Sequence, residues 1–246
     1  MSTTGLFLIP IPPNQQSPAS NLISYISRSV RADLLPPFYL DHRLFVDTSS
    51  LLPNTDLSQR KFTSILTLSH TPSSTFVGTS LPKDKSEPAE QASPVTLITI
   101  PTSAADTFTQ LIGTKLQPQW AHRQSLVVEN GTTLSVKDGY LIVRIGDLKT
   151  PSRANQPSTL RAMALEITFK TRADVASGGN SVISAADETL IRKFSESMVQ
   201  GAGISVGNSR SLFRNTLQVP KSGPTADTVD WDLAELYMDM LRGNRA

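Results

Sequence analysis

The stretch Leu126-Val127-Val128-Glu129-Asn130-Gly131-Thr132-Thr133-Leu134-Ser135-Val136-Lys137-Asp138-Gly139-Tyr140-Leu141-Ile142-Val143-Arg144-Ile145-Gly146-Asp147-Leu148 decides the fold class. Two dipeptides, Asn130-Gly131 and Asp138-Gly139, punctuate runs rich in Val, Ile and Leu. Both supply the positive φ of a tight hairpin turn. The segment therefore predicts a β-meander of three antiparallel strands, at 126–128, 134–137 and 140–148.

The same period continues on either side. Phe38, Leu40, His42, Leu44 and Val46 alternate with Tyr39, Asp41, Arg43 and Asp47, the pattern of a half-buried strand. Phe62 to His70 alternates less cleanly but is rich in Ile, Leu and Thr, and Thr75 to Thr79 follows Pro72 as the other arm of a hairpin. Gly5 to Ile11, Val95 to Ile100 and Met163 to Phe169 complete the predicted strands. Residues 149–158 form a Pro-bearing loop. Residues 81–94 are charged, contain proline and lack aromatics, which predicts a flexible insertion.

Helical spacing appears four times. Leu22, Ile23, Ile26 and Val30 predict a helix from about Ser20 to Asp33, stopped by Pro36 and Pro37. Phe108, Leu111 and Ile112 mark a short helix starting near Ser103. Ser184, Asp187 and Glu188 open a helix whose apolar face is Leu190, Ile191, Phe194 and Met198, ended by Gly201 and Gly203. The last begins near Asp227 or Thr228 and ends at Arg242-Gly243, with acids early and arginine late, as the helix dipole favours. The expected class is α+β, mainly β: a closed or nearly closed antiparallel barrel with helices packed outside and a C-terminal amphipathic helix. Closure removes exposed strand edges, and the length of 246 residues fits one domain over 1–246.

Composition bounds the chemistry. The chain has 246 residues, 38% hydrophobic and only 18% charged, with 17 prolines and no cysteine. Disulfides, thiolate zinc sites and a cysteine nucleophile are excluded. No run approaches the ~20 apolar residues of a membrane-spanning helix. The apolar opening has no basic flank and is broken by Pro10, so it reads as a strand rather than a signal peptide. Asn130-Gly131-Thr132 matches the glycosylation sequon and is read as turn chemistry. The expectation is a protein of a reducing, intracellular compartment with no membrane partner.

Candidate catalytic motifs fail on context. Gly203-Ile204-Ser205-Val206-Gly207 matches the nucleophile elbow, yet a helix precedes it and His42, His70 and His122 all lie upstream. Those histidines share no ligand spacing and read as hydrogen-bonded structural groups. A tunnel phosphohydrolase needs several inward carboxylates, whereas Glu166 is the lone glutamate of a confident strand. Between Lys137 and Arg172 seven basic residues face Asp138, Asp147 and Glu166, a candidate nucleic-acid patch with Tyr140 and Phe169 as its aromatics. No recognition-helix or RNA-binding signature accompanies it, so a solvated sheet face is the plainer reading. A metal-dependent phosphohydrolase and a weakly basic DNA-binding module stand as alternative functions. No catalytic, cofactor or metal residue is assigned.

The final helix carries more. Val229, Leu233, Leu236 and Met240 form one apolar stripe, and Trp231, Ala234 and Met238 widen it past half the circumference. One buried stripe suffices for a surface helix. Trp231, Ala234 and Met238 are therefore candidate partner-binding residues, against the alternative of deeper burial in their own domain.

Several segments together resemble the Mediator complex subunit 20 family, in its fungal branch. They are Thr4-Gly5-Leu6-Phe7-Leu8-Ile9-Pro10, Leu40-Asp41-His42-Arg43-Leu44-Phe45-Val46-Asp47-Thr48, and Leu66-Thr67-Leu68-Ser69-His70-Thr71-Pro72 with Phe76-Val77. Gln117-Pro118-Gln119-Trp120-Ala121-His122-Arg123, Tyr140 to Leu148, and Asp227-Thr228-Val229 through Leu236-Tyr237 complete the resemblance. Ala164 stands where the family pattern has a glycine before Leu165-Glu166-Ile167, and residues 81–94 match nothing in it.

The resemblance implies a β-barrel flanked by helices and no catalytic residues. It implies a nuclear head-module component that pairs with the related barrel of Mediator subunit 18. The pair would be tethered by the C-terminal region of subunit 8, contact other head-module subunits, and reach the RNA polymerase II machinery indirectly.

Overall fold

The computed structural model describes residues 2–48, 60–80, 95–152, 157–170, 185–205, 208–216 and 230–242. In chain order these form β1 (Ser2–Pro10), α1 (Ala19–Ser29), β2 (Ala32–Asp47), β3 (Phe62–Leu68), β4 (Ser74–Ser80) and β5 (Val95–Pro101). Then come α2 (Ala105–Gln110), β6 (Trp120–Val136), β7 (Leu141–Thr150), β8 (Thr159–Lys170), α3 (Ala185–Gly201), β9 (Arg210–Thr216) and α4 (Trp231–Arg242). The nine strands make one antiparallel sheet in the order β5-β4-β3-β2-β6-β7-β8-β1-β9. The expected barrel is thus a strongly curled half-barrel. Residues 81–94, the anticipated insertion, lie outside the described residues.

The curl is visible in what α4 touches. It packs on β9 and β1 near one end of the sheet and on β2, β3 and β4 toward the other. Only a sheet wrapped into a trough brings those strands to one helix. Leu6, Phe38, Leu40, Leu66, Phe76 and Leu126 line the trough against Leu233, Leu236, Tyr237 and Met240. The expectation that the helices pack outside is corrected for α4, which lies inside the curl.

The outer face is covered as well. Phe7, Ile9, Leu165 and Ile167 point out to meet Leu22 and Ile26 of α1 and Ile191 and Val199 of α3. Farther round, Phe45, Ile65 and Val77 pack with Ile112, in the π-helical turn after α2. A sheet covered on both faces needs apolar residues at successive positions rather than alternate ones. Hence β3 is buried from Thr63 through Leu68 and β8 from Ala162 through Ile167.

The deciding segment folds differently from its reading. Asp138-Gly139 does lie in a turn: Lys137 and Asp138 have φ of 53° and 56° and Gly139 of 91°, and Val136 pairs with Leu141. Asn130-Gly131 does not turn. β6 continues through it, and the first two strands of the expected meander are one long strand.

The physical reason lies in β2, which pairs along almost all of β6. Around Pro36-Pro37 the β2–β6 register shifts between Leu35 and Phe38 and again between Phe38 and Leu40, with Phe38 opposite Gly131. The prolines donate nothing to the ladder, so they sit in a bulge that bends both strands. A Cβ on Gly131 would lie 2.7 Å from Phe38 Cδ1 and 3.0 Å from the Ile145 carbonyl. Gly131 thus serves close packing at a bend. The same prolines were expected to stop a helix reaching Asp33; α1 instead ends at Ser29, and the prolines lie inside β2.

β9 was not anticipated. Its ladder with β1 runs from Ser2↔Thr216 to Leu8↔Arg210, and its short mixed-polarity sequence carries no clear period. The final helix begins at Trp231, where Asp230 Oδ1 accepts from the Leu233 N–H at 2.9 Å. Residues 227–229, its expected start, lie outside the described residues.

Candidate functional site

The most deeply buried carboxylate of the described trough is Glu166, at the centre of a polar network. β8 alternates so that Met163, Leu165 and Ile167 point outward, which turns Glu166 to the inside beneath α4. Antiparallel register sets Arg144 of β7 opposite it and Leu6 of β1 on its other side. The turn after β3 delivers His70, whose Nε2 lies 3.2 and 3.1 Å from the two carboxylate oxygens. Arg144 pairs with Oε1, Thr168 Oγ1 donates to the same oxygen at 3.1 Å, and Tyr237 Oη donates to Oε2 at 2.5 Å.

Electrostatics follow from this geometry. Burial alone would raise the Glu166 pKa, but Arg144 and His70, with hydrogen bonds from His70 and Tyr237, hold it far below the usual carboxylate range. Burial and the adjacent Glu166 charge push the Tyr237 hydroxyl well up. Asp230, at the start of α4, is raised to about 6, chiefly by burial and against the Leu233 hydrogen bond. A carboxylate held ionised by two basic partners and a phenol is a poor proton acceptor and has few lone pairs left for a metal. The arrangement fastens α4 to β7, β8 and the β3–β4 turn.

The candidate partner residues of α4 are placed as follows. Ala234 and Met238 are buried inside the trough. Trp231 is half-buried, its ring edge-on to Phe76 with centroids 5.7 Å apart. Burial round nearly the whole helix accounts for its wide apolar surface, since both trough walls and floor contact it. Even its acids are engaged: Glu235 pairs with Arg214, and Asp239 lies 3.9 Å from Arg214 and 4.0 Å from Arg242.

The histidines are dispersed. His42 is buried on β2 with Nε2 3.2 Å from Ser64 Oγ, and burial lowers its pKa to about 4. His122 meets Ser125 at 2.8 Å and lies edge-on to Phe45. Among the described residues no group of His, Asp and Glu has metal-site geometry. Among the described basic residues between Lys137 and Arg172, Arg144 turns inward to Glu166, whereas Arg161 is exposed at the far end of β8; Arg153 and Arg172 lie outside the described residues. Sequence reasoning noticed Glu166 but missed its partners. His70, Arg144 and Tyr237 sit on three other elements and share no spacing with it.

The Gly203 motif follows α3 and precedes β9, the reverse of the strand–turn–helix a nucleophile elbow needs; Val206 and Gly207 lie outside the described residues. Beyond the last turn of α4 the trough opens into a cavity of about 800 Å³, bordered by Arg123, Arg161 and Arg242.

Comparison with solved structures includes a nonspecific heme-binding cyclase of neoabyssomicin biosynthesis, 12% identical over 74% of this chain and 92% of that one. Its TM-score of 0.20 gives it no weight for fold or chemistry. A search of curated proteins finds no match. A family model described as the TATA-binding related factor of subunit 20 of the Mediator complex matches residues 1–242. The chain belongs to the Mediator subunit 20 family.

Proposed function

We propose that this Mediator subunit is a non-catalytic, nuclear component of the head module, a coregulator of RNA polymerase II transcription that works by holding other polypeptides. The observation that carries this reading is α4 seated in the trough of its own half-barrel. A barrel enzyme keeps that interior for substrate; here Tyr237 closes over Glu166 and the helix fills the part of the trough around it. Family membership across 1–242 supports the assembly role.

The proposed direct partner is the related barrel of Mediator subunit 18, with the C-terminal region of subunit 8 and other head-module subunits completing the attachment. The polymerase machinery is contacted indirectly. Trp231, half-buried, remains in the proposed contact surface, whereas Ala234 and Met238 are buried inside the trough.

Co-expression with a subunit-18-type barrel, followed by size-exclusion chromatography at micromolar concentration, tests the reading. A co-eluting pair with an interface of roughly 1,200–2,000 Å² is expected. Separate elution sinks the pairing. Phosphate release with Mg²⁺ or Mn²⁺ that disappears in Glu166→Gln would instead favour a phosphohydrolase.

A further inference from the structure

The half-barrel leaves two sheet edges, and they are built differently. β9 carries Arg210 and Arg214, and α4 packs against it with Glu235 on Arg214. Charge and a covering helix are common defences of an edge. β5, Val95-Thr96-Leu97-Ile98-Thr99-Ile100-Pro101, has no charged residue. Its neighbour is β4, and among the described residues nothing pairs with its far side. Ile98 is 51% exposed on this strand.

The phase of the ladder says which backbone groups are free. The Thr102 N–H donates to the Ser73 carbonyl at 3.1 Å, in register with the β4–β5 pairs. Antiparallel strands bond a given neighbour at alternate residues. Thr96, Ile98 and Ile100 therefore spend their N–H and C=O groups on β4, and those of Val95, Leu97 and Thr99 point away from the sheet. Pro101 shares the outward phase, where its missing N–H costs the ladder nothing. Side chains alternate as well: Leu97 packs with the trough cluster and Ile100 with the outer one, so Ile98 lies on the outer face beside Val77.

We infer that β5 is a docking edge for an extended segment of another polypeptide, added to the sheet as a further strand. Its backbone bonds Val95, Leu97 and Thr99, and a β-branched or aromatic side chain sits opposite Ile98. Outward N–H and C=O groups at alternate residues select a strand, because a helix satisfies its own backbone. A second copy of the chain is the poorer occupant. Three outward residues joined edge to edge fall well short of the roughly 1,200–2,000 Å² that a stable pair of folded chains buries. A short segment brings no second globule to hold. The inference rests on the reading of this chain as an assembly subunit and deepens it, naming the edge and the chemistry of the segment it takes.

The test adds blocked heptapeptides of alternating Thr and Val to the full chain and reads amide deuterium exchange residue by residue by NMR. In the dilute free chain the Leu97 and Thr99 amides should exchange much faster than those of Ile98 and Ile100. Saturating peptide should slow Leu97 and Thr99 at least tenfold and leave Ile98 and Ile100 unchanged. Thr99→Pro removes one outward donor without touching the β4 ladder and should weaken peptide binding at least tenfold. Ile98→Lys should do the same with an unchanged melting temperature, because its side chain is exposed. Leu97 and Thr99 amides already slow in the dilute chain would show that this chain's own residues cover the edge. Protection that grows with protein concentration alone would show a second copy there. Either result, or no protection at millimolar peptide, overturns the inference. Protection by peptide supports it whether or not the subunit-18-type barrel co-elutes, so failure of that pairing is told apart from failure here.

Discussion

Tyr237 Oη donates to Glu166 Oε2 at 2.5 Å across 71 residues of chain, and this hydrogen bond ties the last helix to β8 of the sheet. It also completes a cluster in which one buried negative charge is shared by Arg144, His70, Thr168 and Tyr237. Buried ion pairs add little net stability against an apolar replacement, yet removing one member leaves the others uncompensated.

Tyr237→Phe should therefore cost about 1–3 kcal/mol, the worth of a hydrogen bond to a charged group. Glu166→Gln should cost more, about 3–5 kcal/mol, because Arg144 then faces a neutral amide. Urea unfolding of the two variants measures the order. The Glu166 pKa is depressed in the fold, so its contribution is fully present above the ordinary carboxylate range and is lost as pH falls below it. The acid limb of unfolding should shrink in Glu166→Gln.

Asp230 and His42 bias stability in opposite senses over overlapping windows. Ionising Asp230 in the fold is penalised, so its effect is absent below pH 3.8 and complete above about 6, and stability falls as pH rises between them. His42 is held neutral, with its pKa lowered from 6.5 to about 4, so stability falls as pH drops through that interval. Asp230→Asn keeps an acceptor for the Leu233 N–H and removes the Asp230 penalty. It should be more stable than the parent at pH 7 and lose stability more steeply between pH 6.5 and 4, as urea midpoints at stepped pH would show.

Gly131→Ala tests the bend. Its new Cβ meets both Phe38 and the Ile145 carbonyl, and the carbonyl is backbone that cannot swing aside. A cost of about 1–3 kcal/mol is expected for overpacking. Were Asn130-Gly131 a turn at the surface, the same change would act through backbone strain with Phe38 uninvolved. A double-mutant cycle with Phe38→Leu distinguishes these, since relief of the clash appears as coupling between the two sites.

Trp231→Ala separates the two uses of its ring. Loss of the edge contact with half-buried Trp231 against Phe76 should cost about 2 kcal/mol in thermal or urea unfolding. If the accessible part also meets a partner, co-elution at micromolar concentration should weaken while the variant remains folded at the assay temperature. Unchanged co-elution would confine Trp231 to the trough.

Much of the β architecture is legible because local patterns act locally. Phe38, Leu40, His42 and Leu44 do face one way, and β3 and β4 pair from Phe62↔Ser80 to Thr67↔Thr75 as a hairpin across Pro72. The Lys137–Tyr140 turn is likewise written in Asp138-Gly139. Asn130-Gly131 and Pro36-Pro37 misled for one shared reason: each is a breaker by itself, and only the facing strand shows that together they make a bend. β9 escaped because an edge strand held by β1 needs little period of its own.

By itself, the sequence determined the period of the strands, the amphipathic helices, the absence of thiol chemistry, and the family resemblance. Those depend on residue type and spacing along a few turns or pleats. Tertiary structure alone decided that the sheet curls around α4, that Glu166 meets His70, Arg144 and Tyr237, and that three arginines border one cavity. Each of those joins residues far apart in the chain, and no local pattern encodes which distant strand a bend will bring beside another.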